Sequence, residues 1–121
     1  MREIKFRAWL KQHDIMIAVD SIDFAEEEIM IIDDTGIDRY FPFEEIELLQ
    51  YTGIKDKNGE EIYEQDYVKD HKGHAYTVRY NDFCASMLYP LDGGEFMAIY
   101  PGIELEVIGN IYENPELLEE S

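Results

Sequence analysis

Cysteine is nearly missing from this chain: Cys84 is the only one in 121 residues. A lone thiol closes no intramolecular disulfide, and a chain this small that folds without bridges suits a reducing compartment. A cytoplasmic protein is therefore expected. Long apolar runs are missing as well, with no window approaching the roughly eighteen uncharged residues of a membrane helix. The opening stretch MREIKFRAWLKQHDIMIAVD carries Arg2, Glu3, Lys5, Arg7 and Lys11, which leave no uninterrupted apolar segment for a secretion signal. Neither secretion nor membrane spanning is expected.

Positive charge is scarce. Ten Lys and Arg stand against 28 Asp and Glu, for a net charge of −18. Nucleic-acid binding rests on neutralising phosphates, so direct binding to DNA or RNA is not expected. The imbalance is local too: eleven acids lie between Asp20 and Glu47 with Arg39 as the one base, and from Glu104 onward there are six Glu and no base. Such a surface is either solvated for solubility or built to attract a basic partner.

The chain contains enough apolar material for a core. Hydrophobic residues make up 45%, with nine Tyr, six Phe and one Trp, which places the chain among globular proteins despite its charge. At this length folding buries about two-thirds of the extended chain's surface, so one domain over residues 1–121 is expected. Within it, 1–48 would hold N-terminal strands and the acidic segment, and 49–121 a motif hairpin, further strands and a terminal helix.

Periodicity points to strands. IKFRAWLK places Ile4, Phe6, Ala8 and Leu10 on one side, and after KQHD the run IMIAV returns as the second arm of a hairpin. EIMII, closed by DDTG, suits a third strand, and FPFEEIELLQY reads as a helical turn near Glu44 running into a strand. In the second half DYVKD, AYTVRY, CASMLY, EFMAIY and LEVIGNIYE are short, rich in β-branched and aromatic residues, and separated by turn chemistry. ENPELLEES has Asn114 placed to cap and Pro115 at a first helical position. The expected fold is mainly β: a strongly bent antiparallel sheet or small, partly open barrel, with a short C-terminal helix over Pro115 to Glu119.

QYTGIKDKNGEEIYEQDYVK, residues 50–69, is crowded with Asp56, Asn58, Glu60, Glu61, Glu64 and Asp66. A calcium loop with Gly59 at its sixth position would start at Ile54 and end at Gln65, neither of which supplies a carboxylate. The alternative is a hairpin whose type I′ turn centres on Asn58 and Gly59, between arms carrying Ile54 and Ile62. On that reading Asp56→Asn should do little. His71 and His74 in HKGH lack further ligands nearby, and Cys84 in DFCAS has no adjacent base, so a surface turn and a packing role fit them better. DGG at 92–94 has too little context for a phosphate loop. No catalytic, cofactor-binding or metal residue is assigned, and no cofactor is expected.

MREIKFRAW, LLQYTGIKDKNGEEIYEQDYV and EVIGNIYENPELL, in that order, resemble the YopX-like proteins of bacteriophages and prophages. Two positions depart from the pattern: Leu10 stands where members often carry Asp, and Gln65 where they often carry Gly. The second puts in question whether the turn near Gln65 keeps the backbone a glycine favours. The resemblance implies a largely β accessory protein of a bacterial cytoplasm with no assigned activity. Tyr51 and Tyr63 would pack, and Asp66 would accept backbone hydrogen bonds ahead of a strand. The functions left open are a non-enzymatic module that binds a basic host or phage protein, an acidic mimic of nucleic acid that blocks a host DNA-binding protein, and, least supported, a small-molecule enzyme.

Overall fold

The computed structural model describes residues 5–80, 85–100 and 102–115. Its strands are β1 (Phe6–Leu10), β2 (Ile15–Ala18), β3 (Ser21–Asp23), β4 (Glu28–Ile32), β5 (Asp38–Pro42), β6 (Ile46–Lys55), β7 (Glu61–Tyr63), β8 (Asp66–Lys69), β9 (Ala75–Tyr80), β10 (Ser86–Pro90), β11 (Met97–Ala98) and β12 (Glu106–Asn110). Among the described residues one 3-10 turn, Phe43–Glu45, leads into β6, in keeping with the FPFEEIELLQY pattern. Every recorded pairing is antiparallel, in sheets ordered β2-β1-β6-β7, β3-β4-β5 and β11-β10-β9-β8-β12. The chain is mainly β, with curled antiparallel sheets. The helix over Pro115 to Glu119 falls outside the described residues from 116 onward, as does Cys84. Asn114 does not act forward as a cap within the described chain: its Oδ1 accepts the Asn110 N–H at 3.2 Å.

Two compact units divide the chain, Ile4–Gln50 and, for nearly all the rest, Tyr51–Ser121, so the boundary falls inside β6. Just past that boundary β6 is irregular. Between Tyr51 and Lys55 the register with β7 shifts, and Gly53 takes φ +86°, a bulge that re-aims the strand. Thr52 fills the gap: its hydroxyl donates to the Ile62 carbonyl at 2.7 Å and accepts from the Ile54 N–H at 3.2 Å.

In Ile4–Gln50 two layers face each other. Ala8 and Leu10 of β1 and Ile46 of β6 pack with Ile29 and Ile31 of β4, and Ile17, Ile22 and Phe41 close the sides. The alternation of β1 thus places Ala8 and Leu10 inward, while Trp9 is also buried, on the opposite side of the strand. β3 and β5 are strands that the acidic pattern concealed, because SID and DRYFP expose most of their side chains. In the other unit the core is Ile62, Val68, Tyr76, Val78, Leu88, Ile99 and Leu105.

One local device closes three hairpins. In DDTGI, DKNGE and DHKGH an Asp is followed three residues later by a glycine in the left-handed region, Gly36 at +82°, Gly59 at +85° and Gly73 at +88°. The glycine N–H donates to the Asp carbonyl at 2.9, 3.1 and 3.1 Å, and the Asp N–H donates to the residue after the glycine at 3.0, 2.7 and 2.9 Å. Each Asp carboxylate also caps two N–H groups inside its loop. This corrects the type I′ expectation at Asn58–Gly59: Asn58 does not have positive φ, and the connection is a three-residue loop with its left-handed position at Gly59. The Asp side chain decides this, because it satisfies donors that a two-residue turn would not present.

Candidate partner-binding groove

The hairpin β1–β2 turns at Lys11–Asp14, where His13 and Asp14 donate to the Leu10 carbonyl at 3.1 and 2.8 Å and Asp14 takes φ +54°. Its register sets Leu10 against Ile15 and Ala8 against Ile17, so these four share the inward face. After Ala18 the chain passes to the second layer, where Asp20 donates its N–H to Met30 and accepts the Ile32 N–H on Oδ2 at 2.8 Å. Together they bound a groove of about 760 Å³. Leu10, Ile15 and Ile17 form one side, Ile31 and Phe41 the other, and Asp20, Asp33 and Asp34 stand at the rim with Arg39 and His13.

Two features of this groove stand out. Ile15 and Ile32, both lining it, are 48% and 51% exposed, so apolar area is left in water. Among the described residues β2 has a strand neighbour on one side only, which leaves an edge able to pair with another chain. Arg39 does not cancel the rim outright: its Nε lies 2.6 Å from Asp33 Oδ2, so it is committed to one carboxylate while Asp20 and Asp34 remain. The Thr35 hydroxyl, Arg39 and the Ile37 N–H hold the Asp33 carboxyl well below the ordinary range, so it is ionised at neutral pH.

The carboxylates between Asp20 and Glu47 do not form a regular stripe. Strand registers sort them to the two ends of β3-β4-β5, with Asp20, Asp33, Asp34 and Asp38 at one end and Asp23, Glu26, Glu27, Glu28, Glu44 and Glu45 at the other. Ser21, Met30 and Tyr40 lie in register between them. Glu47 is apart on β6, 3.4 Å from Lys11 Nζ. Glu26 and Glu27 are exposed and Glu28 half-buried, so the three are not equivalent.

The motif stretch 50–69 is scaffold. Asp56 is buried, and its carboxylate accepts N–H groups from Asn58 at 2.8 Å, Glu60 at 2.9 Å and, 51 residues away, Val107 at 3.0 Å. These bonds argue against the expectation that Asp56→Asn does little. Burial pushes this carboxyl up, but the N–H groups of Val107, Glu60 and Asn58 and the Lys57 charge outweigh it and hold it low. Tyr51 and Tyr63 pair across strands with ring centroids 5.4 Å apart, and Asp66 Oδ2 accepts the Tyr63 N–H at 2.9 Å. Gln65 keeps the turn that its identity put in question, at φ +69°.

The remaining residues singled out in the sequence do not converge. His74 Nδ1 lies 3.5 Å from Asp70 in the third Asp–Gly loop, and Asp92 accepts the Gly94 N–H at 3.2 Å in a turn. Among the described residues no three His, Cys, Asp or Glu side chains group to hold a metal ion, and no helix is long and apolar enough to cross a membrane. Sequence reasoning missed the groove because its walls belong to two different sheets, whose facing is not stated by any local pattern. The signal for it was IMIAV, an apolar strand too short and too exposed to be all core.

The architecture is that of a small antiparallel β protein offering an apolar cleft beside a strand edge. Residues 5–119 match the YopX protein family, and the chain belongs to that family. It is similar throughout to the crystal structure of protein EF1440 from Enterococcus faecalis, with 26% identity over 98% of this chain and 99% of that one and a TM-score of 0.61. No curated protein matches.

Proposed function

We propose that this chain is a non-enzymatic protein-binding module, an accessory protein of phage or prophage whose groove in Ile4–Gln50 receives an extended, basic segment of a host or phage protein. The observation that carries this reading is the coincidence of an apolar cleft, an acidic rim and the single-sided strand β2. An incoming strand would pair with β2 through its backbone, set alternate apolar side chains against Ile15 and Ile31, and turn its cations toward Asp20 and Asp34. The net charge of −18 would speed encounter with such a partner and oppose phosphate backbones. A nucleic-acid mimic is less favoured, since it needs carboxylates at regular spacing rather than at the two ends of one small sheet.

The test uses an alternating lysine–valine hexapeptide titrated into the labelled protein. Amide shifts are expected at residues 15–20, 31–35 and 39–41, weakening as salt rises above about 150 mM, where screening is strong. Ile15→Asp and Asp34→Lys should each reduce binding at least severalfold with the melting temperature unchanged. Equal binding of a glutamate–valine hexapeptide, or binding that survives both substitutions, overturns the reading.

A further inference from the structure

The unit that includes β8 to β12 has a cavity of its own, about 380 Å³, within the range of small-ligand sites. Its floor is Leu88 and Leu105, both fully buried, and its mouth is formed by Met97 and Tyr100, which are 40% and 54% exposed. Tyr76 adds a largely buried ring whose hydroxyl donates to Asp70 Oδ2 at 3.0 Å. Glu104 stands exposed on the connection from β11 to β12, and no Lys or Arg lines the space.

We infer that this pocket binds an aliphatic ammonium ion, its alkyl chain on Leu88, Leu105 and Met97 and its charged end among Tyr76, Tyr100, Asp70 and Glu104. Tyrosine faces attract a cation, and carboxylates at the same mouth add to that attraction where water is partly excluded. An anion meets like charge from Asp70 and Glu104, with His71 the one basic residue type among the lining residues to set against them. A hard divalent ion is ill suited, because both Asp70 oxygens already serve donors: Oδ1 accepts the Lys72 and His74 N–H groups and Oδ2 the Tyr76 hydroxyl. A purely apolar ligand leaves the carboxylates without a role. Asp70 stays charged beside the pocket: burial raises its carboxyl, but the His74 N–H, the Tyr76 hydroxyl and the Lys72 N–H more than offset it.

The experiment titrates the full chain with n-pentylammonium, n-pentanol and pentanoate, following amide and methyl shifts at Leu88, Met97 and Leu105. Pentylammonium should perturb these signals saturably, with pentanol at least tenfold weaker and pentanoate without effect. Tyr100→Ala and Glu104→Gln, both at exposed positions, should each weaken the ammonium about two- to fivefold at an unchanged melting temperature, the usual worth of a partly exposed cation–π contact or surface charge. Pentanol binding as tightly as pentylammonium, or no saturable shift with the ammonium, overturns the assignment. Nα-acetyl-lysine methylamide separates the two sources of such a group: weaker binding than pentylammonium assigns a free amine, and equal or tighter binding a lysine side chain. No lining residue is shared with the groove of β2, so either proposal can fail alone.

Discussion

The loops at Asp33 and Asp56 have the same backbone and the same Asp-to-Gly spacing, yet they differ in what the second carboxylate oxygen holds. At Asp33 it meets the exposed guanidinium of Arg39, a side chain 58% in water. At Asp56 it accepts the Val107 N–H, while Lys57 donates its N–H to the Leu105 carbonyl at 2.8 Å and its Nζ lies 3.3 Å from Glu106. The first loop is closed by its own residues; the second also ties the β6–β7 hairpin to the strand that enters β12. Local closure and long-range anchoring are thus separable functions of one residue type, and only the second leaves a half-buried donor on a distant strand without its partner when the acceptor is lost.

The sharpest way to break this contrast is at the carboxylates. Asp56→Ala should cost about 3 kcal/mol in urea unfolding, because three N–H groups lose their acceptor and Val107 is far along the chain from any substitute. Asp56→Asn should cost about 1 to 2 kcal/mol: one oxygen still caps the loop, but an amide N–H₂ now faces the Val107 N–H. Asp33→Asn should cost clearly less than Asp56→Asn, since solvent replaces what Arg39 provides. Equal costs at the two positions would remove the distinction.

The glycines probe the shared part. Gly36→Val and Gly59→Val should each destabilise by roughly 1 to 3 kcal/mol, and by similar amounts. At neither position would an added Cβ meet another atom within 4 Å, so the cost is backbone strain alone. A large difference between the two would show that the loops are not closed by the same local device.

Acid should erase part of the Asp56 advantage. Its carboxyl titrates below the ordinary value when folded, so its contribution is complete above about pH 5 and is lost as pH falls through the folded value. The stability gap between the native chain and Asp56→Asn should therefore narrow from about pH 5 downward. A gap constant to pH 3 would contradict the hydrogen-bonded, ionised carboxylate. The smallest effect is a gain: Gln65→Gly should stabilise by about 0.5 to 1 kcal/mol, because relief of a left-handed non-glycine residue exceeds the entropy that glycine loses.

Much of this protein follows from its sequence alone. Alternation in FRAWL, the KQHD break and the return in IMIA set the first hairpin, because side chains of period two must divide between core and water. The five second-half strands are present as well, from β-branched and aromatic runs separated by turn chemistry. Composition also establishes the acidity, whereas the type I′ turn expected at Asn58–Gly59 gives way to a three-residue loop because the Asp56 carboxylate caps it. Tertiary structure alone decided where the second oxygen of Asp56 points and that Leu10, Ile15, Ile31 and Phe41 bound one groove. Each of these joins residues distant in the chain, and no local propensity states which backbone donor or apolar wall arrives from elsewhere. That arrival is set by how the layers of the fold bury their shared faces.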